Sequence, residues 1–171
     1  MRENIILIGM PGSGKSTLGV VLAKMLGMDF IDTDLLIQRQ TGKRLQEIVN
    51  ESGVDRLIDC EEQAILGLEI ENTLVATGGS VVYREKGMAH LKQLGRLVYL
   101  RVPYHDIEHH ILNISTRGIA IRPGQTLFDL YKERTPLYEK YADTVFDVKD
   151  MSVAKTTEAI YDFIERPVPT R

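Results

Sequence analysis

Nine residues near the start of the chain, Gly9-Met10-Pro11-Gly12-Ser13-Gly14-Lys15-Ser16-Thr17, have the types and spacing to hold a triphosphate. Gly9, Gly14, Lys15 and Ser16 fall on the Walker A pattern. Its glycines let the backbone curl until successive N–H groups converge on phosphate oxygens, and the N-terminus of a following helix adds positive potential. In that arrangement Gly12, Ser13 and Gly14 cradle the phosphates, and Lys15 reaches the β- and γ-phosphates. The Ser16 hydroxyl is a magnesium ligand, and the Thr17 hydroxyl supports the α-phosphate side. A chance glycine turn is the competing reading. It is opposed by the continuous apolar run Ile5-Ile6-Leu7-Ile8 before the loop and the helical pattern after it.

Asp32-Thr33-Asp34 follows a second apolar stretch and brings two acids toward the same end of a sheet. Asp32, nearer the strand end, suits the water shell of Mg²⁺; Asp34 suits an acceptor hydroxyl whose proton must be removed. Either could instead cap the next helix, a position that aspartate fills well. Gly78-Gly79 closes a third strand, where a ligand can approach the backbone or the chain can simply turn tightly. Arg117 and Arg122 lie in a segment, about 115–126, whose two glycines and proline mark it as a mobile lid. Arginines so placed close over a transferring phosphoryl group, though charged surface loops are also common. Arg134 is read as reaching an anionic acceptor or resting on a solvated helix face. His105, His109 and His110 include an i, i+4 pair, but without a third ligand the solvated face is the preferred reading.

The elements that must position these groups alternate along the chain. Strands are predicted at Asn4–Gly9, Met28–Asp32, Thr73–Thr77, Arg96–Val102 and Val145–Val148. Helices are predicted near Lys15–Leu26, with Leu18, Val21, Leu22 and Met25 toward a core, and near Leu35–Gln40, Leu45–Glu51 and Asp55–Glu71. Others follow near Glu85–Leu94, from Pro103 to Ile114, over Leu127–Tyr141, and at the end to Ile164. Alternation of this kind implies an α/β fold: a parallel sheet covered by helices on both faces, with ligands beyond the carboxyl ends of its strands. The 171 residues suffice for one core and read as a single domain, 1–171.

Composition narrows the partners. Hydrophobic residues at 43% and charged residues at 26% describe a globular chain. A net charge of −3 opposes nucleic-acid binding, which needs a basic excess. The single cysteine, Cys60, excludes an internal disulfide and reads as a small helix residue rather than a catalytic thiol. The first apolar run is too short for a leader or a membrane span. A cytoplasmic protein with no membrane partner is expected, acting as a monomer on a small molecule.

Taken together, Gly9–Thr17, Asp32–Asp34, Gly78-Gly79, Arg122-Pro123 and Arg134–Tyr138 resemble the motifs of the shikimate kinase family, in order and over almost the whole length. The resemblance implies a three-layer P-loop kinase fold with a five-stranded sheet of order 2-3-1-4-5. It implies transfer of the γ-phosphate of ATP, with Mg²⁺, to a ring hydroxyl of shikimate, a step of aromatic amino acid biosynthesis. By the same resemblance Asp34, Gly79 and Arg134 contact the acceptor, Arg122 contacts phosphates from the lid, and Arg117 flanks the adenine. The mechanism expected has Ser16 and, through water, Asp32 holding Mg²⁺. Asp34 takes the acceptor's proton, and Lys15 and Arg122 stabilise the moving charge.

Four departures bear on the acceptor and base. Where the family carries an arginine that grips the shikimate carboxylate, this chain has Ile58, within Leu57-Ile58-Asp59-Cys60-Glu61. Arg56 is two helical positions away, about 200° around the helix. Losing a charge-assisted hydrogen bond of roughly 1.5–3 kcal/mol weakens binding by one to two decades. Ser80 replaces a third glycine, Gly124 follows Arg122-Pro123 where leucine is usual, and Asp150-Met151-Ser152 lacks the usual Asn-Pro. At this level the acceptor stays open between shikimate and another small hydroxylated metabolite. An ATP-binding regulatory module of low turnover is the remaining reading.

Overall fold

The computed structural model describes residues 3–112, 118–148 and 152–165. Five parallel strands form one sheet: β1 (Asn4–Ile8), β2 (Asp29–Asp32), β3 (Thr73–Ala76), β4 (Gly95–Arg101) and β5 (Thr144–Asp147). Their order is β2-β3-β1-β4-β5, as the resemblance implied. Central β1 pairs Ile6 with Val75 on one side and with Leu97 on the other.

Continuous apolar sequence in β1 is explained by its two buried faces. Ile6 and Ile8 join a core beneath α3 (Leu45–Leu66), α4 (Glu85–Leu94), α5 (Tyr104–Leu112) and α6 (Leu127–Tyr141). Ile5 and Leu7 join the opposite core, under α1 (Lys15–Leu26) and α7 (Val153–Glu165). A third cluster unites Ile37 of α2 (Thr33–Thr41) with Leu45, Ile48, Leu57, Cys60 and Ala64 of α3 and with Ala120. Cys60 is thus a buried packing residue, as its sequence context implied.

Two expectations need correction. In α1 the buried face is Leu18, Gly19, Leu22, Ala23 and Leu26, whereas Val21 and Met25 are exposed. The helix is turned so that Gly19 presses on the sheet: a Cβ there would lie 2.9 Å from the Phe30 ring. The two helices expected between Leu45 and Glu71 do part at Gly53, whose φ 83° and ψ 172° are non-helical, but the second stops at Leu66 rather than Glu71. Gly67 then caps it through Gln63 O, leaving Glu69 and Glu71 in the connection to β3.

Lys15, Asp34 and the Gly78-Gly79 turn are carried by elements leaving the carboxyl edge of this sheet. The loop 9–14 follows β1, α2 follows β2, and the turn at 78–80 follows β3.

Candidate active site

The first wall of the cleft is the loop between β1 and α1. Gly14 enters the helix with φ 87°, a conformation that a residue without Cβ adopts freely. Lys15, 7% exposed, folds its ammonium back over the loop. Its Nζ donates to Gly9 O and Met10 O, each at 2.8 Å, and to Ser13 Oγ at 3.2 Å. Burial lowers the Lys15 pKa to about 8, against the opposing fields of Asp34 and Asp32. Ser16 is half-buried and Thr17 exposed at the start of α1. The tip of the loop rests on α5, where His110 Nδ1 donates to Gly12 O at 2.9 Å.

Asp32 and Asp34 divide two tasks. Asp32 caps α2, its Oδ1 accepting from Asp34 N at 2.9 Å and from Leu35 N at 3.4 Å. The capping reading of Asp32 is therefore realised. Its position is compatible with a second task, because Asp32, Asp34 and Ser16 line one cavity of about 320 Å³ together with Gln38 and Arg44. These are hard oxygen donors, too few to form a cage. That suits Mg²⁺, which keeps several waters and needs few protein ligands.

Across Asp34 lies a second cavity of about 50 Å³, whose floor and walls include Lys15, Glu61, Gly79, Ser80 and Arg134. The chain after β3 can pass here only without side chains at two positions. A Cβ on Gly78 would stand 2.4 Å from Glu61 Oε1 and 3.0 Å from Asp34 Oδ1. One on Gly79 would meet Pro11 Cδ at 2.7 Å and Arg134 Nη1 at 3.0 Å. The Gly78 N–H donates to Thr33 Oγ1 at 3.0 Å, which ties the turn to α2.

Arg134 is buried, at 1% exposure, so the solvated-face reading fails. Its Nε donates to Tyr83 Oη at 3.1 Å, its Nη2 to Ala120 O at 2.9 Å, and its plane lies 5.0 Å over the Tyr83 ring. Tyr138, one turn on, stacks against Tyr99 and donates to Gly79 O. Among the described residues no carboxylate lies within ion-pair distance of Arg134: its direct partners are neutral, and the charge of Glu61 reaches it only at longer range. A buried charge of that kind favours an anionic ligand.

Glu61 is the titratable group of this wall that sequence reasoning used only as an alignment point. It is 4% exposed and accepts from Ser80 Oγ at 2.7 Å. Burial foremost, then the charge of Asp34, pushes its carboxyl up to about 7. The signal was present in the chain as the Ser80 substitution, whose partner lies 19 residues away.

Gly118, Ile119 and Ala120 cover the smaller cavity. Gly118 is wedged so tightly on Leu45 and Gln46 that a Cβ would lie 2.5 Å from the Gln46 nitrogen. The cavity is smaller than the about 150 Å³ that accommodates benzene, but it shares Ser16, Asp34 and Gly118 with the larger one. Arg122 is not brought to the phosphate cradle: it is exposed and bonded to Asp55 on α3. Arg117 lies outside the described residues. Ile58 is buried at 3% exposure and absent from the cavity lining, and Arg56 is exposed, so neither supplies a second cation. His105, His109 and His110 contribute to no metal-ligand cluster among the described residues.

A family model described as shikimate kinase matches residues 11–165. A shikimate kinase of Thermodesulfovibrio yellowstonii is 35% identical over 167 residues, covering 96% of each chain. One from Clostridium botulinum is 41% identical over 145 residues, covering 81% of this chain and 84% of its own. Among solved structures, shikimate kinase from Acinetobacter baumannii in complex with shikimate aligns with TM-score 0.86 at 30% identity, covering 95% of this chain and 92% of that one. The Aquifex aeolicus shikimate kinase aligns at 0.78 and 28% identity, covering 95% and 96%.

Proposed function

Because the chain belongs to the shikimate kinase family, ATP-using phosphotransferases with an alcohol acceptor, we propose that it transfers the γ-phosphate of ATP to a ring hydroxyl of shikimate. The observation that carries this reading is Arg134, a buried guanidinium with no carboxylate in ion-pair contact among the described residues, lining the same cavity as Asp34 and Lys15. An acceptor held there by its own carboxylate places a hydroxyl between Asp34 and the phosphate cradle.

In this proposal the N–H groups of Gly12, Ser13 and Gly14 take the phosphates, and Thr17 supports the α-phosphate. Lys15 exchanges its bonds with Gly9 and Met10 for phosphate oxygens. Ser16 and, through water, Asp32 hold Mg²⁺. When bound, the ion neutralises charge on the β- and γ-phosphates. Asp34 orients the acceptor hydroxyl and accepts its proton, while the Gly78-Gly79 backbone lets the ring approach. Arg122 leaves Asp55 for the transferring phosphoryl group, and Arg117 flanks the adenine. Closure of the expected lid, 115–126, of which 115–117 lie outside the described residues, excludes water that would hydrolyse ATP. Among the described residues no helix is long and apolar enough to cross a membrane. We propose a cytoplasmic monomer with no nucleic-acid partner.

The test is ADP release from Mg·ATP by the purified chain against shikimate and a panel of small alcohols and polyols. Saturable turnover on shikimate is expected. Turnover on another acceptor alone would overturn the substrate assignment, and silence across the panel would point to a binding module.

A further inference from the structure

Among the described residues, the charged side chains lining the acceptor cavity are Lys15, Asp34, Glu61 and Arg134. The Lys15 ammonium is engaged by the P-loop carbonyls. One guanidinium therefore confronts two carboxyls at the acceptor end, and the position of a second cation is occupied by Ile58. Glu61 Oε2 is held by a neutral donor, Ser80, itself 2% exposed. Glu61 Oε1 converges with Asp34 Oδ1 on the Gly78 backbone. The charged and titratable groups whose fields reach Glu61 are Lys15 of α1, Asp34 of α2, and Arg134 and Tyr138 of α6.

We infer that Glu61, oriented by Ser80, is an acceptor-binding residue that meets an anionic acceptor as a neutral carboxylic acid, so that the acceptor enters together with a proton. The inference rests on the proposed acceptor. A carboxylate bound to Arg134 adds a third negative group to a buried cavity in which, among the described residues, Arg134 is the one cation not engaged by the P-loop. Like charges that close, and away from water, cannot all stay ionised. Asp34 faces the Lys15 ammonium; Glu61 takes the proton from solvent. Burial and Asp34 already push the Glu61 carboxyl up to about 7. Once protonated it changes from acceptor-only to donor. Ser80 keeps its bond to Oε2, and the new O–H is directed to the acceptor's carboxylate or an adjacent hydroxyl. A neutral donor thus replaces the arginine that Ile58 removed, and the proton leaves when Glu61 ionises again after product release.

The experiment is calorimetric titration of shikimate into the full chain without nucleotide, at about pH 7.5, in two buffers of different ionisation enthalpy. Uptake of most of one proton is expected, and shikimate affinity should fall about tenfold from about pH 6 to about pH 8. Glu61→Gln retains a donor and cannot titrate. It should bind without uptake, with affinity flat across that range, and about tenfold tighter than the parent at about pH 8. Ser80→Gly removes a donor that favours the ionised form, so it should move the midpoint of the affinity profile to higher pH. This second variant keeps the test intact if Glu61→Gln folds poorly. Binding without proton uptake would overturn the inference and leave the acceptor assignment standing. Uptake that persists in Glu61→Gln would place the proton on Lys15 and do the same. If ATP binds but shikimate does not at any pH, the acceptor assignment and the inference fall together.

Discussion

Arg122 donates through Nη2 and Nη1 to the two carboxylate oxygens of Asp55, at 2.8 and 3.4 Å, tying the 118–126 segment to α3. The hydrogen bond and charge of Arg122 hold Asp55 below the usual carboxylate range. Both side chains are more than half exposed, so solvent and salt screen the pair and make it a weak latch. A guanidinium that works on a phosphoryl group must first leave Asp55. Asp55→Ala should therefore change kcat/KM by less than about fivefold, with the gain largest at low salt. Arg122→Ala should lower kcat by about 10²–10³. Steady-state rates at two ionic strengths check both. A loss in Asp55→Ala as large as in Arg122→Ala would make the ion pair itself the working arrangement.

Asp34 lines both cavities, the one shared with Ser16 and Asp32 and the one shared with Glu61 and Arg134. Asp34→Asn keeps the shape and removes the base. It should cut kcat by about 10²–10⁴ and leave ATP affinity nearly unchanged, since the cradle is built from 9–17. Parallel measurements of kcat and nucleotide Kd decide the matter. Retained turnover would remove Asp34 from the role of base.

The phosphate end of the cleft was legible in the chain because its signals are local. A glycine loop between strand and helix writes its backbone geometry into nine consecutive residues, and Asp32 two positions before Asp34 writes both the cap and the acid. The sheet was legible for a related reason: strands buried on both faces show as unbroken apolar runs. The acceptor end is assembled from partners far apart in sequence. Arg134 reads as one more charge on a helix until Tyr83 and Ala120 O bury it. The His110 bond to Gly12 spans 98 positions and has no local signature. The same limit misplaced Val21 and Met25, because the rotation of α1 is set by Phe30 pressing on Gly19.

Arg134→Lys tests whether geometry or charge matters at that position. Lysine keeps the charge but gives up the planar fork that spans Tyr83 Oη and Ala120 O. Loss of a charge-assisted hydrogen bond is worth roughly 1.5–3 kcal/mol, so shikimate KM should rise by one to two decades. ATP KM should stay within about twofold, because Lys15 and the loop carry the phosphates. Equal rises in both KM values would mean that the substitution deforms the cleft rather than the acceptor contact.

Glu61 also leaves a mark on the stability of the unliganded chain. Folding raises its pKa from 4.5 to about 7, burial foremost and Asp34 next, against the Ser80 hydrogen bond. Across that window the folded chain holds a proton that the unfolded chain has released. The contribution of this group to stability is thus present at lower pH and falls as pH rises through the window, by up to roughly 3 kcal/mol. Above the folded-state value the loss is complete. Glu61→Gln abolishes the titration, so it should be more stable than the parent by up to that amount at about pH 8 and about equal to it near pH 4.5. Urea unfolding of both proteins at the two pH values measures the difference, with the remaining titrating groups common to both. A gap that does not widen with pH would remove Glu61 as the raised carboxyl.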